Sequence, residues 1–242
     1  MEITSIADIH SSGTGLGSSS AFTVGLLHAL HAYQHKFISS DDLANMACEI
    51  EIDILKEPIG KQDQFGTACG GLKFLKFNPD GKVSVDPIFC LRETRETIQR
   101  NMLFLYTGVT RSASKILAKQ KTNMEKDKKK NTTMKKMVQL AYDLYEDLKR
   151  DKISSFGDIL HTNWIYKKEM AEGISNPQID EWYETARKKG ALGGKLLGAG
   201  GGGFFLFYAP YEKHEAIKKA LPSLRPIDFH FENKGSQIIF IH

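Results

Sequence analysis

Gly13-Thr14-Gly15-Leu16-Gly17-Ser18-Ser19-Ser20 is the stretch on which the reading of this 242-residue chain turns. Three alternate glycines let a backbone approach an anion closely, and three hydroxyls then open an amphipathic segment, Ser18–Gln34, that reads as a helix. The N–H groups of a first helical turn, with the positive end of the helix dipole behind them, turn such a loop into a phosphate cradle. It is not a Walker A loop, because no Gly-Lys-Ser/Thr follows. Nor is it a good dinucleotide fingerprint, since Ser18 stands where the third glycine belongs and no acid lies near position 35. Read by itself, a Gly/Ser loop that only caps a helix remains the alternative.

Upstream, Met1–Ala7 reads as a short strand feeding the loop. Along the helix Phe22, Leu26, Ala29, Leu30 and Tyr33 share one face, with His28, His31 and His35 on the other. Three histidines at that spacing could bind a metal. No local carboxylate or cysteine joins them, which favours a solvated face. A second helix spans about 41–55, with Ser39 or Ser40 as N-cap and Asp41 and Asp42 favourable in its first turn. KEPIGKQDQFGTACGG is a loop with a helical turn, followed by a hairpin of LKFLKF and Val83–Val85 through Pro79-Asp80-Gly81-Lys82.

The pattern changes near 86–91. A helix at 92–99, a strand at 102–107 and helices at about 111–120, 133–150, 153–171 and 178–188 precede strands in GGGFFLFYAP, PIDFHF and QIIFI, with a helix at 211–220 between the first two. The fold class is therefore α+β, with one domain over 1–88 and a second over 89–242.

Two carboxylates extend the phosphate reading. Glu51 falls near the end of the second helix, and Asp63 lies in the Gly60-Lys61-Gln62-Asp63-Gln64 loop. Each alone reads more readily as a surface or capping residue. Phosphoryl transfer from a nucleotide needs a backbone cradle, a hard-oxygen site for Mg²⁺ and a carboxylate to accept the proton of the attacking hydroxyl. One Ser and one Glu would suffice for Mg²⁺, which keeps waters and phosphate oxygens as its other ligands. A second glycine-rich stretch, Gly193–Gly203, holds seven glycines in eleven residues and runs into the apolar Phe204–Tyr208. Its ordering entropy is large, so a close approach to a ligand or to the first glycine loop explains it better than a bare linker.

Composition bounds the rest. The chain is 41% hydrophobic and 26% charged, which is ordinary globular usage. No apolar run is long enough to span a bilayer, and MEITSIADIHSS lacks the basic and apolar regions of a signal peptide, so a cytoplasmic protein is expected. The net +4 is concentrated in KQKTNMEKDKKKNTTMKK (119–136), eight Lys against two acids, which leaves the remainder at about −2. That run has no aromatic residue for base stacking. It reads as a solvated helical connector rather than a nucleic-acid patch, so neither nucleic acid nor membrane is an expected partner. Cys48, Cys69 and Cys90 are odd in number and never at CxxC spacing, as expected of buried free thiols rather than disulfides or zinc ligands.

GTGLGSSS, the Gly-Lys-Gln-Asp-Gln loop and KLLGAGGGG, in this order and at these separations, closely resemble the second motif, the catalytic-aspartate loop and the third motif of the GHMP small-molecule kinases. Within that superfamily YTGVTRSAS, HTNW and ISNPQIDEWYETARKKGALGGKLLGAGGGGF look most like sugar kinases that phosphorylate D-glycero-D-manno-heptose 7-phosphate at the anomeric hydroxyl. The resemblance implies a two-domain fold, an N-terminal domain like ribosomal protein S5 domain 2 and a ferredoxin-like C-terminal domain, with ATP and sugar between them.

It puts the ATP phosphates on Gly13, Thr14, Gly15, Leu16, Gly17, Ser18, Ser19 and Ser20, makes Ser19 and Glu51 the Mg²⁺ ligands, and makes Asp63 the catalytic carboxylate. Gly200 and Gly201 would line the substrate cleft. Arg111 would take an anionic substrate, against a plain helix-start Arg as the alternative. A small sugar, ATP and Mg²⁺ are the implied ligands, and a homodimer is compatible with them.

His10-Ser11-Ser12 stands where the family usually has a proline. The family's glycine-rich first motif has no counterpart, so the expectation is a sugar kinase represented without its first strands. A fucose- or galactose-type kinase and a catalytically inactive nucleotide-binding remnant are the competing expectations.

Overall fold

The computed structural model describes residues 2–7, 15–109 and 113–240. It divides into two compact units, one of Met1–Pro87 with Phe231–His242 and one of Ile88–His230. The sequence reading puts the closing stretch in the second domain. In the structure it belongs with the first: the Gly71 amide donates to the Glu232 carbonyl, the Ser236 amide to the Thr67 carbonyl, and the Ser236 hydroxyl meets His28 Nδ1 at 2.9 Å.

In the first unit α1 (Ser18–Tyr33), α2 (Ser40–Cys48), α3 (Gln62–Cys69) and the antiparallel hairpin β1 (Lys73–Phe77) and β2 (Val83–Pro87) follow one another. Ser39 caps α2, its hydroxyl accepting from the Asp42 amide at 3.1 Å. Val24, Leu43, Ala44, Ala47, Phe65 and Ala68 form the core.

Two expectations fail here. Residues 2–7 carry no strand: the only ladder among the described residues of this unit is β1–β2, and they pair with neither of its strands. The buried face of α1 is also not the expected one. Ser20, Val24 and Leu27 face inward with the half-buried His28 and His31, whereas Phe22 and Tyr33 are 51% and 70% exposed. The inward orientation is fixed at the start of the helix by Ser20, whose hydroxyl is tied to a buried carboxylate, and hydrophobicity along the helix does not override it.

Gly25 lies in the interior of α1 on the exposed side, with nothing within 4 Å of the position a Cβ would take. Gly25→Ala is expected to stabilise the first unit by about 0.5–1 kcal/mol, because it removes unfolded-state freedom without a clash. A urea midpoint that falls would contradict this.

The second unit contains α4 (Arg92–Asn101), β3 (Met102–Tyr106), α5 (Ala113–Lys126), α6 (Lys128–Lys149), α7 (Phe156–Met170), α8 (Pro177–Lys188), β4 (Gly193–Leu196), β5 (Phe204–Tyr208), α9 (His214–Ala220) and β6 (Arg225–Ile227). The sheet order is β4-β5-β3-β6, antiparallel at every pairing. Within the unit the strands lie second, third, first, fourth, the ferredoxin-like arrangement. Alternation along β3 and β5 turns Leu103, Leu105, Phe205 and Phe207 into a core with Trp164, Ile179, Tyr183 and Ile217.

The lysine-rich run occupies α5 and α6. Residues 237–240 of QIIFI form no strand, and β6 takes only the first residues of the PIDFHF region. Cys48, Cys69 and Cys90 are free, and burial pushes each thiol upward, Cys48 to about 11, which leaves them poor nucleophiles at neutral pH.

Candidate functional site

The site of the first unit is built at the start of α1. Gly17 precedes the helix with φ of 72°, a left-handed conformation that glycine adopts without strain, and Gly15 has φ of 77°. No acid occupies the first turn and no side chain caps it. The first intrahelical bond runs from the Ala21 amide to the Gly17 carbonyl, so the amides of the residues before Ala21 have no acceptor inside the helix. Leu16 and Ser18 are half-buried in this turn. Gly13, Thr14 and Arg111 lie outside the described residues.

Glu51 is the centre of the cluster. It is 1% exposed, and three donors converge on its carboxylate: the hydroxyl of Ser19 on Oε1, the hydroxyl of Ser20 on Oε2 at 2.8 Å, and the amide nitrogen of Gln64 on Oε2 at 2.5 Å. A buried carboxylate is tolerated when its lone pairs are occupied in this way. The helix carrying it is not a continuous α-helix. From Glu49 to Ile54 the backbone winds as a π-helix, with the Leu55 amide bonded to the Ile50 carbonyl and the Glu57 amide to the Glu51 carbonyl. The wider turn rotates Glu51 inward and leaves Ile54 64% exposed, reversing what hydrophobicity alone would choose.

Asp63 sits in the first turn of α3, where the helix dipole favours a negative charge. A Cβ on Gly17 would lie 3.1–3.3 Å from the Asp63 side chain, so the glycine allows the carboxylate to rest directly against the start of α1. One edge of Asp63 is open to solvent. Desolvation on the other, followed by the charge of Glu51, raises its carboxyl above the usual range.

The structure thus brings together Gly15, Leu16, Gly17, Ser18, Ser19, Ser20, Glu51 and Asp63. It adds Gln64, which the sequence reading quotes in its loop without a role. Gln64 is fully buried, and its Oε1 has no hydrogen-bond partner among the described residues. No ion pair to Glu51 or Asp63 occurs among the described residues.

The second glycine-rich stretch is not one loop. Its first residues form β4, and the turn that follows is anchored inside the second unit: the Gly201 amide donates to the Ile174 carbonyl and the Gly203 amide to the Val109 carbonyl. A Cβ on Gly200 would come within 2.6 Å of the Ile174 backbone. Part of the glycine content is therefore a packing requirement of this unit.

Comparison with known proteins decides the lineage. Residues 1–71 match the family model for the GHMP kinases N terminal domain, and residues 144–225 match that for the GHMP kinases C terminal. The chain belongs to the GHMP kinases.

Among its relatives in this family, D-glycero-alpha-D-manno-heptose 7-phosphate kinase of Campylobacter jejuni is 31% identical over 226 residues, covering 93% of this chain and 66% of that protein. A solved D-glycero-D-manno-heptose 1-phosphate kinase from Bacteroides thetaiotaomicron superposes with a TM-score of 0.71 at 26% identity, covering 93% of this chain and 63% of that one. A sugar kinase structure from C. jejuni gives a TM-score of 0.69 at 28% identity, over 93% and 64%. The chain spans at most about two-thirds of the length of these GHMP kinases. The two-unit α+β architecture read from the motifs is the fold of this family.

Proposed function

We propose that this GHMP kinase is a sugar 1-kinase that transfers the γ-phosphoryl group of ATP to the anomeric hydroxyl of D-glycero-D-manno-heptose 7-phosphate. The observation that carries the reading is the Ser19–Ser20–Glu51–Gln64 cluster beside Asp63 at the start of an uncapped helix. The Gly13–Ser20 backbone receives the ATP phosphates, and the amides of the first turn bear on the charge of the transferring group. Asp63 takes or orients the proton of the attacking hydroxyl. Its raised carboxyl pKa makes it a stronger base than an ordinary surface aspartate.

The residues present suit Mg²⁺. Two carboxylates of one sign lie close enough to interact, no cationic side chain offsets them among the described residues, and Gln64 Oε1 is a buried acceptor without a donor. Ser19 and Glu51 would hold the ion, all hard oxygens as Mg²⁺ prefers. When bound, it supplies charge neutralisation on the phosphate oxygens. Arg111, Gly200 and Gly201 belong to the acceptor side of the same reading.

The heptose assignment is supported by likeness to the C. jejuni kinase. A bifunctional fucokinase of Arabidopsis thaliana and a galactokinase of Thermococcus kodakarensis, each 27% identical, define the competing acceptors. The reading includes a cytoplasmic setting with small-molecule partners only. No helix among the described residues is long and apolar enough to cross a membrane.

ADP release with heptose 7-phosphate, fucose, galactose and mevalonate tests the proposal. Turnover with heptose 7-phosphate at least about tenfold above the others is expected, because a site built to hold a phosphate discriminates against acceptors that leave those contacts unmade. Preference for an unphosphorylated sugar would overturn the heptose assignment. Failure with every acceptor would favour the inactive-remnant reading, and any sugar-dependent turnover would eliminate it.

A further inference from the structure

The two oxygens of the buried Glu51 carboxylate are unequally employed. Oε2 accepts from two donors, the Ser20 hydroxyl at 2.8 Å and the Gln64 amide nitrogen at 2.5 Å. Oε1 accepts only from the Ser19 hydroxyl among the described residues. A carboxylate oxygen offers about two lone-pair sites, so Oε2 is filled while Oε1 keeps one open beside the Ser19 oxygen.

Packing does not account for the residue that closes Oε2. Gln64 lies on the core side of α3 with Phe65 and Ala68, and it is fully buried. Methionine would fill the same length without taking an amide out of water, which is costly unless both ends of the amide are bonded. Only one end is. Nε2 donates to Glu51, and Oε1 has no partner among the described residues. Because the two atoms share one carbon, Gln64 Oε1 lies within about 5 Å of Glu51 Oε2. A buried acceptor so close to a carboxylate suits a hydrogen from a water that a cation carries.

We propose that Ser20 and Gln64 are positioning residues that clamp Glu51 Oε2, so that Glu51 takes a divalent cation through Oε1 alone, beside the Ser19 hydroxyl. Gln64 Oε1 accepts from a water on that cation. The inference deepens the kinase reading and rests on it for the cation. Its consequence is selectivity. A carboxylate restricted to one oxygen suits the small, strictly octahedral Mg²⁺, whereas the larger Ca²⁺ takes more oxygens and gains from gripping both of one carboxylate. Releasing Oε2 should therefore harm Mg²⁺ more than Ca²⁺.

The test measures metal binding to the 242-residue chain without turnover. Mn²⁺ is titrated while its free-ion EPR signal is followed, and Mg²⁺ and Ca²⁺ are then added as competitors. Glu51→Gln removes the charge, so the binding it abolishes is the share that belongs to this site. Gln64→Met removes both hydrogen bonds at equal side-chain length and is expected to weaken that share by about ten- to a hundredfold. The preference for Mg²⁺ over Ca²⁺ should fall with it, by at least about fivefold. Ser20→Ala deletes one oxygen from the other arm of the clamp. It should move both quantities in the same direction, and it serves if Gln64→Met does not fold.

A role in packing alone would lower the thermal midpoint and leave the Mg²⁺ to Ca²⁺ preference unchanged, and that result overturns the clamp. So does Mn²⁺ binding that is absent from the wild type or indifferent to Glu51→Gln. The kinase reading fails separately. A chain that turns over no sugar yet shows the change in preference loses that reading and keeps the clamp, and one that turns over sugar with an unchanged preference does the reverse.

Discussion

Asp63→Asn is expected to lower phosphoryl transfer by about 10²–10⁴-fold while nucleotide affinity stays within about threefold of wild type. The substitution is close to isosteric. Asparagine keeps the Cβ and Cγ that rest against Gly17, so the start of α1 and the Glu51 cluster should not move. What disappears is the capacity to accept a proton, together with one negative charge beside Glu51. Losing that charge removes a repulsion toward ATP phosphates, so binding should hold steady or tighten slightly. A structural role for Asp63 would show the reverse pattern, with nucleotide affinity and thermal midpoint falling together. Single-turnover phosphorylation and equilibrium binding on the same preparations separate the two. Wild-type transfer in this variant would remove Asp63 from the chemistry.

The parts of the site that were legible in the sequence are those whose chemistry is carried by residue type. A glycine before three serines marks the start of α1, as read, and of the two serines offered as the cap of α2 the structure uses Ser39. Asp63 alone read as a surface or capping residue, and it was singled out only by the resemblance of its loop to a family motif; the structure sets it against Gly17 at the start of α1. Gln64 was not legible, since an amide that holds a buried carboxylate has the same letter as one in solvent.

The path of Glu51 into the interior was half-visible. In Glu49-Ile50-Glu51-Ile52-Asp53-Ile54 the isoleucines recur every two residues, which no α-helix can bury together, and the π-helical turn resolves that conflict in favour of the carboxylate. The face of α1 was misread for a related reason. The apolar spacing pointed one way, and a single hydrogen-bonded serine at the helix start pointed the other. Local hydrophobicity loses where a polar anchor is itself buried and satisfied.

Gly193→Ala carries the largest expected effect on stability, a loss of about 3 kcal/mol from the second unit, at the upper end of overpacking costs. A Cβ there would stand 1.9 Å from the Gly157 carbonyl oxygen and 3.0 Å from the His161 amide, both on α7, and these are backbone atoms that no rotamer change can move. The opposing position is also a glycine. A Cβ on Gly157 would come within 2.5 Å of Leu192 Cβ. Two glycines facing each other bring the axis of α7 down onto β4 more closely than any side chain allows, which is a reason for glycine here quite apart from ligands. The urea midpoint should fall by about 1–2 M for a slope typical of a unit this size. A shift smaller than about 0.3 M would mean that α7 can lift away at little cost. The same close approach bears on the turn after β4, because Lys167, further along α7, donates to the Gly198 carbonyl there.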